Sequence, residues 1–194
     1  MRKDDSGFRG RRVTVMGLGR FGGGLGVTRW LAARGAQVLV TDLEPATALD
    51  GPLTELAPLI ESGVVTTKLG GHDEQDFTRC DVVVANPAVP RPWENPYLRA
   101  ARSAGATIST EIELLTQRLP TRERVIAVTG SAGKSTTSAL IHHVLATNGH
   151  HVVLGGNIGG SLLGMLEVIS PDTFVVLELS SFMLHWLPAF SPHV

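Results

Sequence analysis

Two parallel-sheet α/β units in tandem are what this chain predicts, and three observations carry that expectation. Short apolar runs rich in Val and Ile recur along all 194 residues: Val13 to Met16, Val38 to Val40, Val82 to Ala85, Val125 to Val128, Val152 to Leu154 and Phe174 to Leu179. They lack apolar–polar alternation, so they suit strands covered on both faces, as in parallel sheets. Helical stretches lie between several of them, at Gly23 to Arg34, Pro96 to Ala104, Glu111 to Leu119, Lys134 to Asn148 and Ser161 to Ile169. Alternating strand and helix implies right-handed crossovers. Finally, glycine-rich turns follow two of the runs, at residues 17–26 and 129–136.

Composition narrows the function classes. Charged residues make up 18% and the hydrophobic set 43%, a globular balance that excludes a disordered polyelectrolyte. The formal charge of -1 is too small to attract a nucleic acid or an anionic membrane by field alone, so neither is expected as a partner. A single cysteine, Cys80, excludes an internal disulfide framework and a cysteine-based zinc site. No apolar stretch reaches the roughly 18 residues of a membrane span, and two acids stand early in the N-terminus, which points to a cytoplasmic protein.

Taken in order, the first run leads into Gly17-Leu18-Gly19-Arg20-Phe21-Gly22, and Asp42 stands 20 residues after Gly22 at the end of the next run. This is the pattern of a dinucleotide-binding turn with its acid in place, and by itself it suggests NAD. Gly23, Gly24 and Gly26 add backbone freedom at the helix start, while Phe21, Leu25, Trp30 and Leu31 read as the helix's core face. The segment Asn86 to Pro92 holds three prolines and is a loop leaving the strand Val82 to Ala85, where open α/β sheets bind ligands. A helix then stops at Pro120, followed by a charged linker. The domains expected are residues 1–121 and 122–194.

The second unit opens with Thr129-Gly130-Ser131-Ala132-Gly133-Lys134-Ser135-Thr136, between an apolar strand and a helix. Glycines there let backbone NH groups converge on phosphate oxygens, Lys134 reaches terminal phosphates, and Ser135 can ligate Mg²⁺. The common pattern has four residues between Gly and Gly-Lys, whereas Ser131 and Ala132 are the only two here. Glu178, where the run Phe174 to Leu177 gives way to polar residues, is the acid expected to hold the cation. A dehydrogenase has no use for an ATP loop about 110 residues after its glycine turn. Two such modules suggest a nucleotide-linked substrate in one and ATP in the other.

Thr129 to Thr136, Gly155-Gly-Asn-Ile-Gly159 and Leu177-Glu-Leu-Ser-Ser-Phe182, in that order, resemble the ATP loop and the two following motifs of the Mur ligases, and within them the D-glutamate-adding members. The resemblance implies an N-terminal Rossmann-like domain whose glycine turn (Gly17, Leu18, Gly19, Arg20, Phe21, Gly22), Asp42 and Asn86 bind UDP rather than NAD. It also implies the first half of a P-loop ATPase-like domain that binds ATP through residues 130–136. Lys134 and Glu178 would be catalytic, Ser135 and Glu178 would hold Mg²⁺, and Asn157, Ser180 and Ser181 would contact the substrate. The implied substrates are UDP-N-acetylmuramoyl-L-alanine and D-glutamate, joined through an acyl phosphate in peptidoglycan precursor synthesis by a monomeric enzyme.

Ala132 stands where these ligases often carry Asn, and Met183 where Gln is usual. The resemblance covers essentially all 194 residues but only the first part of a three-domain architecture, so the chain is expected to be an N-terminal portion, inactive alone. The rival readings are an NAD-dependent Rossmann enzyme and a non-catalytic nucleotide-binding fragment. His142-His143 and His150-His151 are adjacent pairs, which point about 100° apart on a helix and chelate poorly. His72 and Asp73 read as a capped loop.

Overall fold

The computed structural model describes residues 5–19 and 22–194, which divide into two compact units between Glu111 and Ile112. The first contains β1 (Arg12–Met16), α1 (Gly23–Ala33), β2 (Gln37–Asp42), α2 (Asp50–Glu61), β3 (Val65–Leu69), α3 (Glu74–Thr78), β4 (Val82–Ala85), α4 (Pro96–Ser103) and β5 (Thr107–Ser109). Its five strands form one parallel sheet in the order β3-β2-β1-β4-β5. Strand order reverses at β1, so right-handed crossovers put α1 and α2 on one face and the later helices on the other. Val13, Val15, Val38, Val40 and all of β4 are buried, as continuous apolar strands between helical layers require. From α1, Leu25, Val27, Trp30 and Leu31 enter the core.

The second unit takes in most of α5 (Glu111–Thr116), then β6 (Val125–Val128), α6 (Lys134–Thr147), β7 (Val152–Gly156), β8 (Phe174–Glu178) and α7 (Ser181–His185). Its parallel sheet runs β6-β8-β7, with β8 central as its unbroken apolar character requires. The last residues lie along the outer side of β6: Ala127 N donates to Val194 O at 2.9 Å and His193 N to Val125 O at 3.1 Å.

Five elements were not legible as motifs: α2, β3, α3, β5 and α7. β3 reads Val-Thr-Thr-Lys-Leu and is half polar because it is an edge strand, and β5 is only three residues long. Helix α2 carries Pro52 and Pro58; Pro52 falls in the first turn, where no NH is needed.

One expected helix is corrected. Residues 161–169 form no α-helix, only a short 3-10 turn at Leu163–Met165. Gly164 interrupts the stretch, and Pro171 disfavours helical backbone just beyond it. Leu162, Leu163, Leu166 and Ile169 are nevertheless buried, so the apolar spacing was real while the helix was not.

Candidate functional site

The first unit's glycine turn lies where β1 and β4 part, the carboxyl-end crevice of a doubly wound sheet. Its shape is fixed by the protein's own hydrogen bonds. Gly17 N donates to Thr41 O at 2.7 Å, and Gly19 N donates to Asp42 Oδ2 at 3.1 Å. The other carboxylate oxygen of Asp42 accepts from Glu44 N at 2.9 Å. Asp42 is 7% exposed and thus organises the turn from beneath as well as standing at its rim. Leu18, expected among the ligand contacts, is fully buried, main chain included. Arg20 and Phe21 lie outside the described residues.

Gly22 starts α1 in the left-handed region at φ 88°, with no side chain capping the helix. The close approach in this turn is at Gly24, where a Cβ would sit 2.2 Å from Leu18 O and 2.5 Å from Gly17 O. The six-residue glycine pattern ends at Gly22, so this packing glycine lies outside it. Asn86 lies directly over Gly17, 2.9 Å from where a Cβ would stand, and its Oδ1 accepts from Ala88 N at 2.9 Å. A Pro-rich loop is thereby pinned across the turn.

His72 belongs to this neighbourhood, which the sequence did not reveal because β3 went unread. Its Nδ1 lies 2.7 Å from Thr41 Oγ1, and its ring stands edge-on to Phe77 and Tyr97. Burial pushes the imidazole below its ordinary value, against the pull of the Asp42 and Asp76 carboxylates. Asp73 caps α3, its Oδ1 accepting from Gln75 N at 2.9 Å.

In the second unit the loop of residues 129–133 joins β6 to α6. Gly133 is the first flanking residue of the helix at φ 77°, and no side chain caps it, so neither Thr129 nor Ser131 fills the helix N-terminus. Gly130, Ser131, Ala132, Gly133, Ser135 and Thr136 are all exposed. Lys134 Nζ donates to Gly130 O at 2.9 Å, folding back over the loop. An uncapped helix start with a nearby lysine is the kind of arrangement that suits an anion.

Glu178 sits beside this loop because β8 pairs with β6 in the register Val128↔Glu178. It is 1% exposed. Its Oε1 accepts from Asn157 Nδ2 at 2.8 Å, while Oε2 is buried with no hydrogen-bond partner among the described residues. On the other side of β8, Asn157 N donates to Glu178 O at 2.8 Å. Ser180 caps α7, its Oγ accepting from Met183 N at 3.2 Å, and Ser181 is exposed at the first helical position. The structure therefore gathers Lys134, Glu178 and Asn157 around the ends of three adjacent strands. A buried carboxylate with one idle oxygen suits a divalent cation, which would compensate its desolvation. No group of three or more His, Cys, Asp or Glu side chains able to hold a metal ion occurs among the described residues. None of the described helices is long and apolar enough to cross a membrane.

Two successive parallel α/β units, each built on a strand, a glycine turn and a helix, define the class. Within it the chain belongs to a family: the model for Mur ligase MurD-like, N-terminal domain, matches residues 11–110. The UDP-N-acetylmuramoylalanine--D-glutamate ligase of Geobacter metallireducens is 44% identical over 185 residues, 95% of this chain and 39% of that protein. The ligase of the same name from Roseiflexus sp. is 44% identical over 178 residues, 92% of this chain and 36% of that protein. The chain thus spans about two fifths of the length of these relatives. Among solved structures, UDP-N-acetylmuramate:L-alanyl-gamma-D-glutamyl-meso-diaminopimelate ligase (MPL) from Neisseria meningitides shares the fold. Its TM-score is 0.54 at 19% identity, over 87% of this chain and 52% of that one.

Proposed function

We propose that this chain is the UDP-substrate-binding unit and part of the ATP-binding unit of a ligase that adds D-glutamate to UDP-N-acetylmuramoyl-L-alanine in peptidoglycan precursor synthesis. The observation that carries the reading is the conjunction in the second unit: an uncapped helix start behind Gly133, Lys134 on its loop, and Glu178 buried with an idle oxygen. The activity named for the relatives suggests the substrate.

In this reading the first unit holds the UDP moiety at the glycine turn of residues 17–22, beside Asn86. The second holds ATP on residues 130–136. The alanyl carboxylate is activated as an acyl phosphate, which the D-glutamate amine then attacks, expelling phosphate. Lys134 would leave Gly130 O for the terminal phosphates and neutralise charge as two anions approach. Ser135 and Glu178 would hold Mg²⁺, which when bound supplies further charge neutralisation. Ser180 and Ser181, at the start of α7, would face the substrate side. The enzyme is taken as cytoplasmic and monomeric, acting on small molecules alone. Because the chain spans about two fifths of its relatives, the 194-residue polypeptide is proposed to bind ligands without completing the reaction.

Calorimetric titration tests this. A UDP-N-acetylmuramoyl compound should bind more tightly than NADH, and Asp42→Ala should weaken that binding. NADH binding equally or more tightly would reject the assignment, while ATP-dependent coupling of D-glutamate by the chain alone would overturn only the proposal that it does not complete the reaction.

A further inference from the structure

Asn157 is expected on the substrate side, and its hydrogen bond to Glu178 points to a further task. We propose that Asn157 is a positioning residue for Glu178: it anchors one carboxylate oxygen and so presents the other, Oε2, to a divalent cation. The inference rests on the reading of Glu178 as a metal ligand.

Glu178 occupies the end of the central strand, hydrogen-bonded on both sides and 1% exposed. An ionised carboxylate in such a place is costly unless it is paired or hydrogen-bonded. Among the described residues no lysine or arginine forms an ion pair with it, and Oε1 has a single donor, the Asn157 amide at 2.8 Å. Asn157 is itself held by main chain, since its N donates to Glu178 O at 2.8 Å. Gly156 just before it is at φ 98°, and a Cβ there would sit 2.3 Å from Glu178 O. The backbone of 156–157 is thus pressed against Glu178, and the Asn157 side chain returns to the same residue. Two hydrogen bonds, one to main chain and one to side chain, lock the pair together.

The chemical type of the donor matters. A guanidinium or ammonium at Oε1 would orient the carboxylate but cancel the charge a metal needs. A neutral amide orients it and leaves the full negative charge for the cation. Groups that hydrogen-bond a ligating carboxylate commonly alter metal affinity by about 10- to 100-fold.

The test uses the 194-residue chain, with Mn²⁺ and a non-hydrolysable ATP analogue as probe, read by calorimetry and by the Mn²⁺ electron paramagnetic resonance spectrum. Asn157→Ala should weaken Mn²⁺–nucleotide binding about tenfold and alter the spectrum, while affinity for a UDP-N-acetylmuramoyl compound stays within twofold. Glu178→Gln should lose at least as much, and adding Asn157→Ala to it should cost nothing more. Asn157→Ser, which keeps a donor, serves if the alanine variant does not fold and should fall between wild type and Glu178→Gln. Unaltered Mn²⁺ binding in Asn157→Ala or Asn157→Ser, or equal losses with and without Glu178, would overturn the positioning role. A UDP-compound affinity that falls instead would make Asn157 a substrate contact. Unaltered binding in Glu178→Gln would show that Glu178 is no ligand, and the proposal would fail with that reading.

Discussion

Helices α1 and α6 begin alike, each behind a glycine in the left-handed region with no side chain capping it, yet the two turns are secured very differently. Ahead of α1 the turn is tied down by Thr41 O and Asp42 Oδ2 and roofed by Asn86, and the helix buries five residues. The loop ahead of α6 is exposed, with Lys134 on Gly130 O, and the helix buries only Ser138. Leu140 and Val144 of α6 stand in solvent. One strand–turn–helix device is thus finished by its own unit, while the other is left exposed and uncapped.

The sharpest way to break this contrast is Gly24→Ala. A methyl 2.2 Å from a backbone oxygen cannot be relieved by a rotamer change, so α1 must move off the Gly17–Leu18 backbone at a cost of about 3 kcal/mol. For a unit of this size that lowers Tm by more than ~10 °C, readable by calorimetry. No comparable contact exists at Gly133, where nothing lies within 4 Å of an added Cβ, although its left-handed φ would still strain an alanine. A Gly24→Ala protein with wild-type Tm would refute the self-secured turn.

Lys134→Ala probes the other side, with a smaller effect on folding and a larger one on binding. Its loop hydrogen bond is exposed, so Tm should shift little. Hydrogen bonds to charged groups contribute about 1.5 to 3 kcal/mol, so ATP affinity should fall tenfold or more by calorimetry. A folded variant with unchanged affinity would remove the ATP assignment.

What could be read in advance follows the same divide. The strands buried on both faces announced themselves as apolar runs, and Trp30, Leu31 and Leu25 matched the predicted core face because α1 is fully packed. β3 was missed because an edge strand needs apolar residues on fewer positions, and with it the place of His72 beside Thr41, although its loop was read. Glu178 was legible as a polar residue ending an apolar run. The hydrogen bond from Asn157, 21 residues away, was not, since it depends on which strands are neighbours. Gly24 stood in view as one glycine among several, and only the backbone path singled it out.

The central claim is that the two turns serve two different ligands, and hydrogen exchange measured by mass spectrometry tests it most directly. A UDP-N-acetylmuramoyl compound should slow exchange in residues 17–26 and leave residues 129–138 unaltered, while ATP with Mg²⁺ should do the reverse. Because the first turn is already hydrogen-bonded, its protection should rise from a higher baseline than that of the second loop. Protection of both segments by one nucleotide, or of residues 17–26 by NADH and not by the UDP compound, would contradict the account.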